Sequence, residues 1–382
     1  MQKRKSFLPY GLHWINEQDI KAVEEVLKGS WITQGPKIKE FEDKLANFVG
    51  AEHAVAVNSG TAALEIAARA VGVENGTELI TTPLSFVATA NAALFNNADV
   101  KFVDIDEETF NLDPSAIEAA VGPDTRAIAP VHFAGQCAEM TKISQIAKEK
   151  GLSVIEDSSH ALGAELDGKK AGVFGDVSCF SFHPVKHITA GEGGTITTNS
   201  KELYEELLRL RNHGITKDAQ KRHGADAGYA YDVVELSRNF RITDISCALA
   251  SSQLNRIEDF LKRRQEIADK YTKAFEGVEG VTTPIVKENR KHAWHLYCVQ
   301  VENRDKLFKF LREQNIGVNV HYIPIYRHTL YKERYNLNPK DFPNTEHVFE
   351  RILSLPIFPK MTDEDVDYVI AKVEEGIKEV SK

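Results

Sequence analysis

The sequence predicts an α/β fold: a large domain with a mostly parallel sheet flanked by helices, followed by a smaller α+β domain. Three observations carry that expectation. Strand-like and helix-like segments alternate from about residue 18 to residue 250. The strand runs are apolar throughout, as strands covered on both faces are. The chain has 382 residues, beyond the roughly 250–300 at which one hydrophobic core stops growing.

The elements follow in order. "DIKAVEEVLKG" and "KIKEFEDKLANFVG" space their apolar residues as helices do, "HAVAVNSG" is a short apolar strand ending in turn residues, and "TAALEIAARAVG" resumes helix. "ELITTP", "DVKFVDID", "RAIAPVHFAG" and "LSVIEDSSH" read as further strands, separated by the helical "SFVATANAALFNN", "DPSAIEAAVG" and "EMTKISQIAKEKG". One long helical run, "ITDISCALASSQLNRIEDFLKRRQEIADKYTKAF", is expected to carry the chain between domains. After it the pattern changes to strand-like "HAWHLYCVQV", helical "RDKLFKFLREQN", then "IGVNVHYIPIY" and a charged amphipathic C-terminal helix. The expected domains are residues 1–255 and 256–382.

A net charge of −9 with 27% charged and 42% hydrophobic residues gives no reason to expect a nucleic-acid partner. The basic start "MQKRKSFLPYGLHW" is followed by no apolar segment or small-residue cleavage site, and no apolar run is long enough for a bilayer. Cys137, Cys179, Cys247 and Cys298 lack the spacing of a zinc site or a disulfide framework. Reduced core thiols in a cytoplasmic protein, with no metal and no membrane partner, are the expectation.

In open α/β sheets ligands collect beyond the carboxyl ends of the strands. Three strands end in residues with chemistry to offer. Ser59-Gly60-Thr61 opens a helix, where free N–H groups and the dipole favour an anion; helix capping by Ser or Thr explains the same triplet. Glu156-Asp157 ends an apolar strand, and a carboxylate there needs a donor such as a protonated ring nitrogen, or else caps the next segment. His160 follows, as a ligand-facing or a core histidine. The third, "CFSFHPVKHITAGEGGTI", sets Lys186 before a glycine-rich turn in a stretch with little other charge. Burial lowers a lysine's pKa and makes it a nucleophile or Schiff-base former. Pyridoxal 5'-phosphate (PLP) would use all three places: an anion cradle, a carboxylate and an amine.

"NSGTAAL", "EDSSHALGA", "FSFHPVKHITAGEGG" and "SRNFRITDISCALASSQL" occur in the order and near the spacing of the sugar-nucleotide aminotransferases, and the likeness runs through nearly the whole chain. The sequence resembles that family, a branch of the fold-type I PLP enzymes. The resemblance implies that Lys186 bears the cofactor and moves protons as acid and base. It implies that Asp157 keeps the pyridine nitrogen protonated and that His160 lies near the ring oxygen. Gly60, Thr61, Ala62 and Ser181 would hold the phosphate, joined by Asn239 from a second subunit of a homodimer with shared active sites. Phe86 would stack on the ring. Glutamate would be the amino donor, and a keto sugar on a nucleoside diphosphate the acceptor.

The finer resemblance is to aminotransferases of the pseudaminic acid pathway, which aminate C4 of a UDP-linked 4-keto-6-deoxy-N-acetylhexosamine. It rests on "PYG" with Tyr10, on "SWITQGP" with Ser30, Trp31, Ile32 and Thr33, on "TTPLSFVATANA", and on "VHYIPIYRH" with His321 and Tyr322. These residues, with Gly60, Ser181 and Asn239, would bind the sugar nucleotide, the N-terminal segment 1–17 lying near its channel; an aromatic-rich domain interface is the other reading of the same residues. Gly60 and "HITAGEGG" are forms that also suit relatives acting on other sugars, at C3 or C4 and with another base. A sugar dehydrase on the same scaffold would carry histidine in place of the lysine. Aligning on "FHPVK" puts Lys186 there, with His187 one place on. A cysteine desulfurase would need a cysteine in a mobile glycine-rich loop. A non-catalytic relative would be expected to have lost some of Lys186, Asp157, Ser181 and Asn239.

Overall fold

The computed structural model describes residues 2–216 and 231–380. Seven strands form the main sheet: β1 (His53–Val57), β2 (Glu78–Thr81), β3 (Asp99–Phe102), β4 (Thr125–Ala129), β5 (Ser153–Asp157), β8 (Val177–Ser181) and β9 (Gly194–Thr198), with the short β6 (Glu165–Leu166) and β7 (Lys169–Lys170) outside it. Their order is β1-β9-β8-β5-β4-β2-β3. The five from β8 to β3 run parallel, and β9 runs antiparallel to both its neighbours.

Alternation of side chains along each strand divides the core into two layers. Ala56, Ile80, Ile128 and Phe180 pack against helices α2 (Pro36–Val49) and α6 (Met140–Lys150), α1 being Glu17–Lys28. Val55, Val57, Leu79, Ile155 and Cys179 face the other way, onto α3 (Gly60–Ala70), α4 (Ala88–Phe95) and α7 (Lys201–Leu210). Between α4 and α6 the segment expected as a helix from 113 to 122 is a 3₁₀ turn, Pro114–Ala116, and a four-residue α5 (Ile117–Ala120). The Asp113 side chain accepts the Ser115 N–H and tightens the start.

The long helical run is two helices, α8 (Asp244–Leu254) and α9 (Ile257–Phe275), so the expectation of one continuous helix is corrected. The N–H groups of Asn255 and Arg256 turn back to the carbonyls of Ser252 and Gln253. The Arg256 side chain is drawn to the fully buried Asp19 of α1, which also accepts from Ser252 and Gln253. Arg256 thus sits at the break and pairs with α1, a long-range contact that helical periodicity does not contain.

The C-terminal region pairs β10 (Val281–Thr282), β12 (Tyr297–Val301) and β13 (Ile352–Leu355) antiparallel, while β11 (Arg290–Lys291) joins β6. Around them lie α10 (Arg304–Glu313), α11 (Thr329–Tyr335), α12 (Pro343–Arg351) and α13 (Asp363–Val380). Packing crosses residue 255 in both directions: Leu8 lies in the C-terminal core, and Ile325, Tyr326, Tyr331 and Phe342 lie in the layer with α3 and α4. Asp104, after β3, accepts the Asn344 and Thr345 N–H groups at the start of α12. The loop with His321 and Tyr322 meets Phe133, which follows β4, and His160, which follows β5.

Candidate active site

Phe182 is fully buried and clasps the loop that bears Lys186. Its N–H donates to Gly193, and its carbonyl accepts from the Ala190 N–H and the Thr189 hydroxyl. The Lys186 N–H closes a turn onto His183 O at 2.9 Å. Lys186 as a residue is half-buried, but its amine is surrounded by protein. Desolvation pushes its pKa down to about 8, against the opposing attraction of Asp157. At that pKa roughly a tenth of the amine is neutral at pH 7, far more than of an ordinary lysine, and the neutral form is the nucleophile.

The two acids at the end of β5 have separate tasks. Glu156 is fully buried and accepts from His132 Nε2, the Ser158 and Ser178 hydroxyls, and the N–H groups of Gly172, Phe174 and Gly175. Burial raises its pKa, but the His132 bond and charge and the other donors outweigh it and bring it to about 2. Asp157 faces the other layer, where the Thr89 hydroxyl of α4 donates to Oδ2 at 2.7 Å and the Ser159 N–H to Oδ1 at 3.1 Å. Glu156 therefore ties the loop after β7 to the sheet, and Asp157 is the carboxylate beside Lys186.

The start of α3 combines a side-chain cap with free backbone donors. Ser59 caps the helix, its hydroxyl accepting the Ala62 N–H at 3.1 Å. Among the described residues the N–H groups of Gly60 and Thr61 have no acceptor, so the cap leaves two donors for an anion. A Cβ on Gly60 would lie 2.8 Å from the Ser181 Cβ, and one on Gly194 would lie 2.4 Å from the Ser59 carbonyl oxygen. The absence of both side chains brings the helix start against Ser181 and leaves the cradle open.

His160 is buried beside these groups. Its Nε2 is 3.1 Å from the Tyr322 hydroxyl, and its ring lies 4.4 Å from that of His295. Burial, then the charge of Lys186, holds His160 well below the usual imidazole range. Phe86 is exposed, with its ring 6.2 Å from Tyr322; Tyr10 lies 5.2 Å from His321. His321 is buried and both of its ring nitrogens are engaged, by the Asn319 amide and the Ser354 hydroxyl.

The chain thus brings together Lys186, Asp157, His160, Phe86, Tyr10, His321 and Tyr322, with Gly60, Thr61, Ala62 and Ser181 at the adjoining helix start. Ser30, Trp31, Ile32 and Thr33 lie on the surface, as does Asn239, which sits beside Asn58 just before the start of α3. The first four are exposed, and the loop is fixed by Asp244, whose N–H donates to Ile32 and whose carboxylate accepts from Gly35. Asn239 is exposed near the end of β1, accepting the Arg241 N–H on Oδ1 and the Asn58 amide on its carbonyl. Sequence reasoning missed Thr89 and His295. Thr89 looks like any polar residue of an alanine-rich helix, and His295 shares "HAWHLY" with a second buried histidine, His292.

A sequence model of the DegT/DnrJ/EryC1/StrS aminotransferase family matches residues 13–374, almost the entire chain. The chain belongs to that family. It is 42% identical to the spore coat polysaccharide biosynthesis protein SpsC of Bacillus subtilis, over 99% of both chains. Among solved structures it is similar to Helicobacter pylori PseC, an aminotransferase involved in the biosynthesis of pseudoaminic acid. That structure has a TM-score of 0.92 and 33% identity, covering 98% of this chain and 100% of the other. A candidate sugar aminotransferase of Streptococcus pneumoniae in its PLP-form has a TM-score of 0.92 and 30% identity, covering 98% of this chain and 99% of the other. The protein is a PLP-dependent sugar aminotransferase with the fold-type I architecture. The residues present fit the cofactor: two N–H groups without acceptors, a cradle that a Cβ would fill, a carboxylate, and an amine near pKa 8.

Proposed function

We propose that this enzyme moves an amino group from glutamate to C4 of a UDP-linked 4-keto-6-deoxy-N-acetylhexosamine. The product would be UDP-4-amino-4,6-dideoxy-N-acetyl-β-L-altrosamine, a step toward pseudaminic acid. The observation that carries the chemistry is the amine of Lys186, depressed to about 8 beside Asp157 at the carboxyl edge of the sheet. The likeness to PseC over the whole chain supports the choice of sugar. The 42% identity to SpsC favours a second reading, amination of another nucleotide-linked keto sugar for a polysaccharide.

PLP supplies an electron sink and a temporary carrier for the amino group. In this reading Lys186 would hold the cofactor, and its freed amine would carry the proton from the donor's Cα to the cofactor carbon that keeps the amino group. Asp157, steadied by Thr89, holds the proton on the pyridine nitrogen. The Gly60 and Thr61 N–H groups and the Ser181 hydroxyl bind the phosphate, Phe86 covers the ring, and Tyr10 and the loop with His321 border the sugar.

The exposed Trp31, Ile32 and Asn239 support a two-fold dimer in which each subunit completes its partner's site. The four cysteines are free and buried, and no helix among the described residues is long and apolar enough to cross a membrane; both accord with a cytoplasmic enzyme. The test is incubation with glutamate and a panel of UDP-, dTDP- and GDP-linked 4-keto sugars, with NMR locating the new nitrogen. Amination at C4 of the UDP-N-acetyl substrate in preference to the others is the expected result. Preference for another nucleotide sugar selects the second reading.

A further inference from the structure

The hydrogen bond between Tyr322 and His160 links the C-terminal loop to the segment that carries Asp157. Its direction follows from the surroundings of the imidazole. His160 Nδ1 is buried and has no hydrogen-bond partner among the described residues. If Tyr322 donated to Nε2, the ring proton would sit on Nδ1 as a buried donor without an acceptor, which costs the full desolvation of that N–H. If Nε2–H donates to the phenol oxygen, Nδ1 carries only a lone pair, and unsatisfied buried acceptors are tolerated better than unsatisfied donors. Ring contacts hold the plane of the imidazole. Its plane is 19° from that of Tyr322, His295 lies 4.4 Å away on 38°, and Phe133 meets it edge-on at 6.2 Å.

We infer that Tyr322 is a positioning residue for the cofactor end of the site: its hydroxyl accepts the Nε2–H of His160 and fixes the tautomer and plane of the imidazole beside Lys186. The assignment goes beyond a place for Tyr322 on the sugar channel, and it rests on the reading of Lys186 as the cofactor-bearing residue. The charged and titratable groups around His160 are Lys186, His187, His295 and His321, with Asp157 three residues earlier in the same loop. Burial keeps the imidazole uncharged and the Tyr322 phenol protonated, so the pair stays a neutral hydrogen bond across the working pH range. The phenol proton, with no acceptor among the described residues, remains available to an oxygen of a bound ligand.

The test has one arm without cofactor and one with it. In cofactor-free protein with ¹⁵N-labelled histidine, NMR is expected to find His160 as the Nε2–H tautomer, and Tyr322→Phe is expected to abolish the hydrogen-bonded Nε2 proton signal. An Nδ1–H tautomer in the unaltered protein overturns the inference without any variant having to fold. In the holoenzyme, Tyr322→Phe is expected to shift the pH midpoint of the cofactor's visible absorbance and to slow the half-reaction with glutamate about tenfold. Phe133→Leu, which trims packing against both rings and removes no hydrogen bond, is expected to leave the midpoint in place. If Tyr322→Phe changes only the sugar KM, or Phe133→Leu shifts the midpoint equally, the inference fails. A failure of Lys186 as the cofactor's residue would appear separately, as unaltered protein that binds no cofactor there.

Discussion

Replacing Lys186 with methionine is expected to stabilise the cofactor-free protein while ending its activity. The gap between the depressed value of about 8 and the ordinary 10.5 measures how much the charged amine dislikes its site. At about 1.4 kcal/mol per unit this is about 3 kcal/mol, an upper figure because water reaching the half-buried stem reduces it. The sign follows from proton counting. Between pH 8 and 10.5 the unfolded chain binds the proton and the folded chain does not, so folding of the unaltered protein gains stability as pH rises through that window. Below pH 8 both states are protonated and the full cost is present. Methionine has a similar reach and carries no such cost. Urea unfolding of the two apoproteins at equal concentration is expected to show the variant ahead by about 1–3 kcal/mol at pH 7, with the lead shrinking toward pH 10. A variant less stable at pH 7, or a difference that does not change with pH, would refute the claim that the amine is held in a desolvating site.

Further outcomes are expected at neighbouring residues. Asp157→Asn keeps the shape and the Thr89 contact but loses the charge, and turnover should fall at least about tenfold with an altered cofactor spectrum; equal rates and spectra would remove Asp157 from the pyridine nitrogen. Gly60→Ala puts a methyl group 2.8 Å from the Ser181 Cβ, and forcing it in should weaken cofactor binding about 10–100-fold by equilibrium titration, with secondary structure retained. Undiminished affinity would show that the phosphate is not held at this helix start. If Asn239 serves the partner's site, co-refolding Lys186→Ala with an inactive Asn239 variant should restore up to about a quarter of normal activity per subunit, because each mixed dimer has one undamaged site. Verified mixed dimers without activity would return Asn239 to its own subunit.

Much of the fold and of the site's chemistry was legible because it is local. Alternating apolar segments report a covered sheet, and "FSFHPVK" before a glycine-rich turn reports a lysine out of place for a surface residue. The structural task of Glu156 was not legible: the family resemblance pointed to Asp157, but adjacent residues of a strand face opposite layers, and only the assembled layers show what Glu156 binds. The reversal of β9 depends on how the loop from 183 to 193 folds back through Phe182, and apolar runs carry no direction. Thr89 meets Asp157 across 68 residues of chain, and Tyr322 meets His160 across 162. No period or spacing in the sequence records such a meeting. Ser30 to Thr33 and Asn239 were chosen through the family resemblance, and their exposure in one chain accords with a role completed by a partner.

The most direct measurement of the central claim is chemical. Purified holoenzyme should be yellow, and borohydride should bleach it by fixing the cofactor to its lysine. Digestion and peptide mass spectrometry are then predicted to find the phosphopyridoxyl label on Lys186 and on no other residue. A label on another lysine, or bleaching that leaves the peptide containing Lys186 unmodified, would contradict the account.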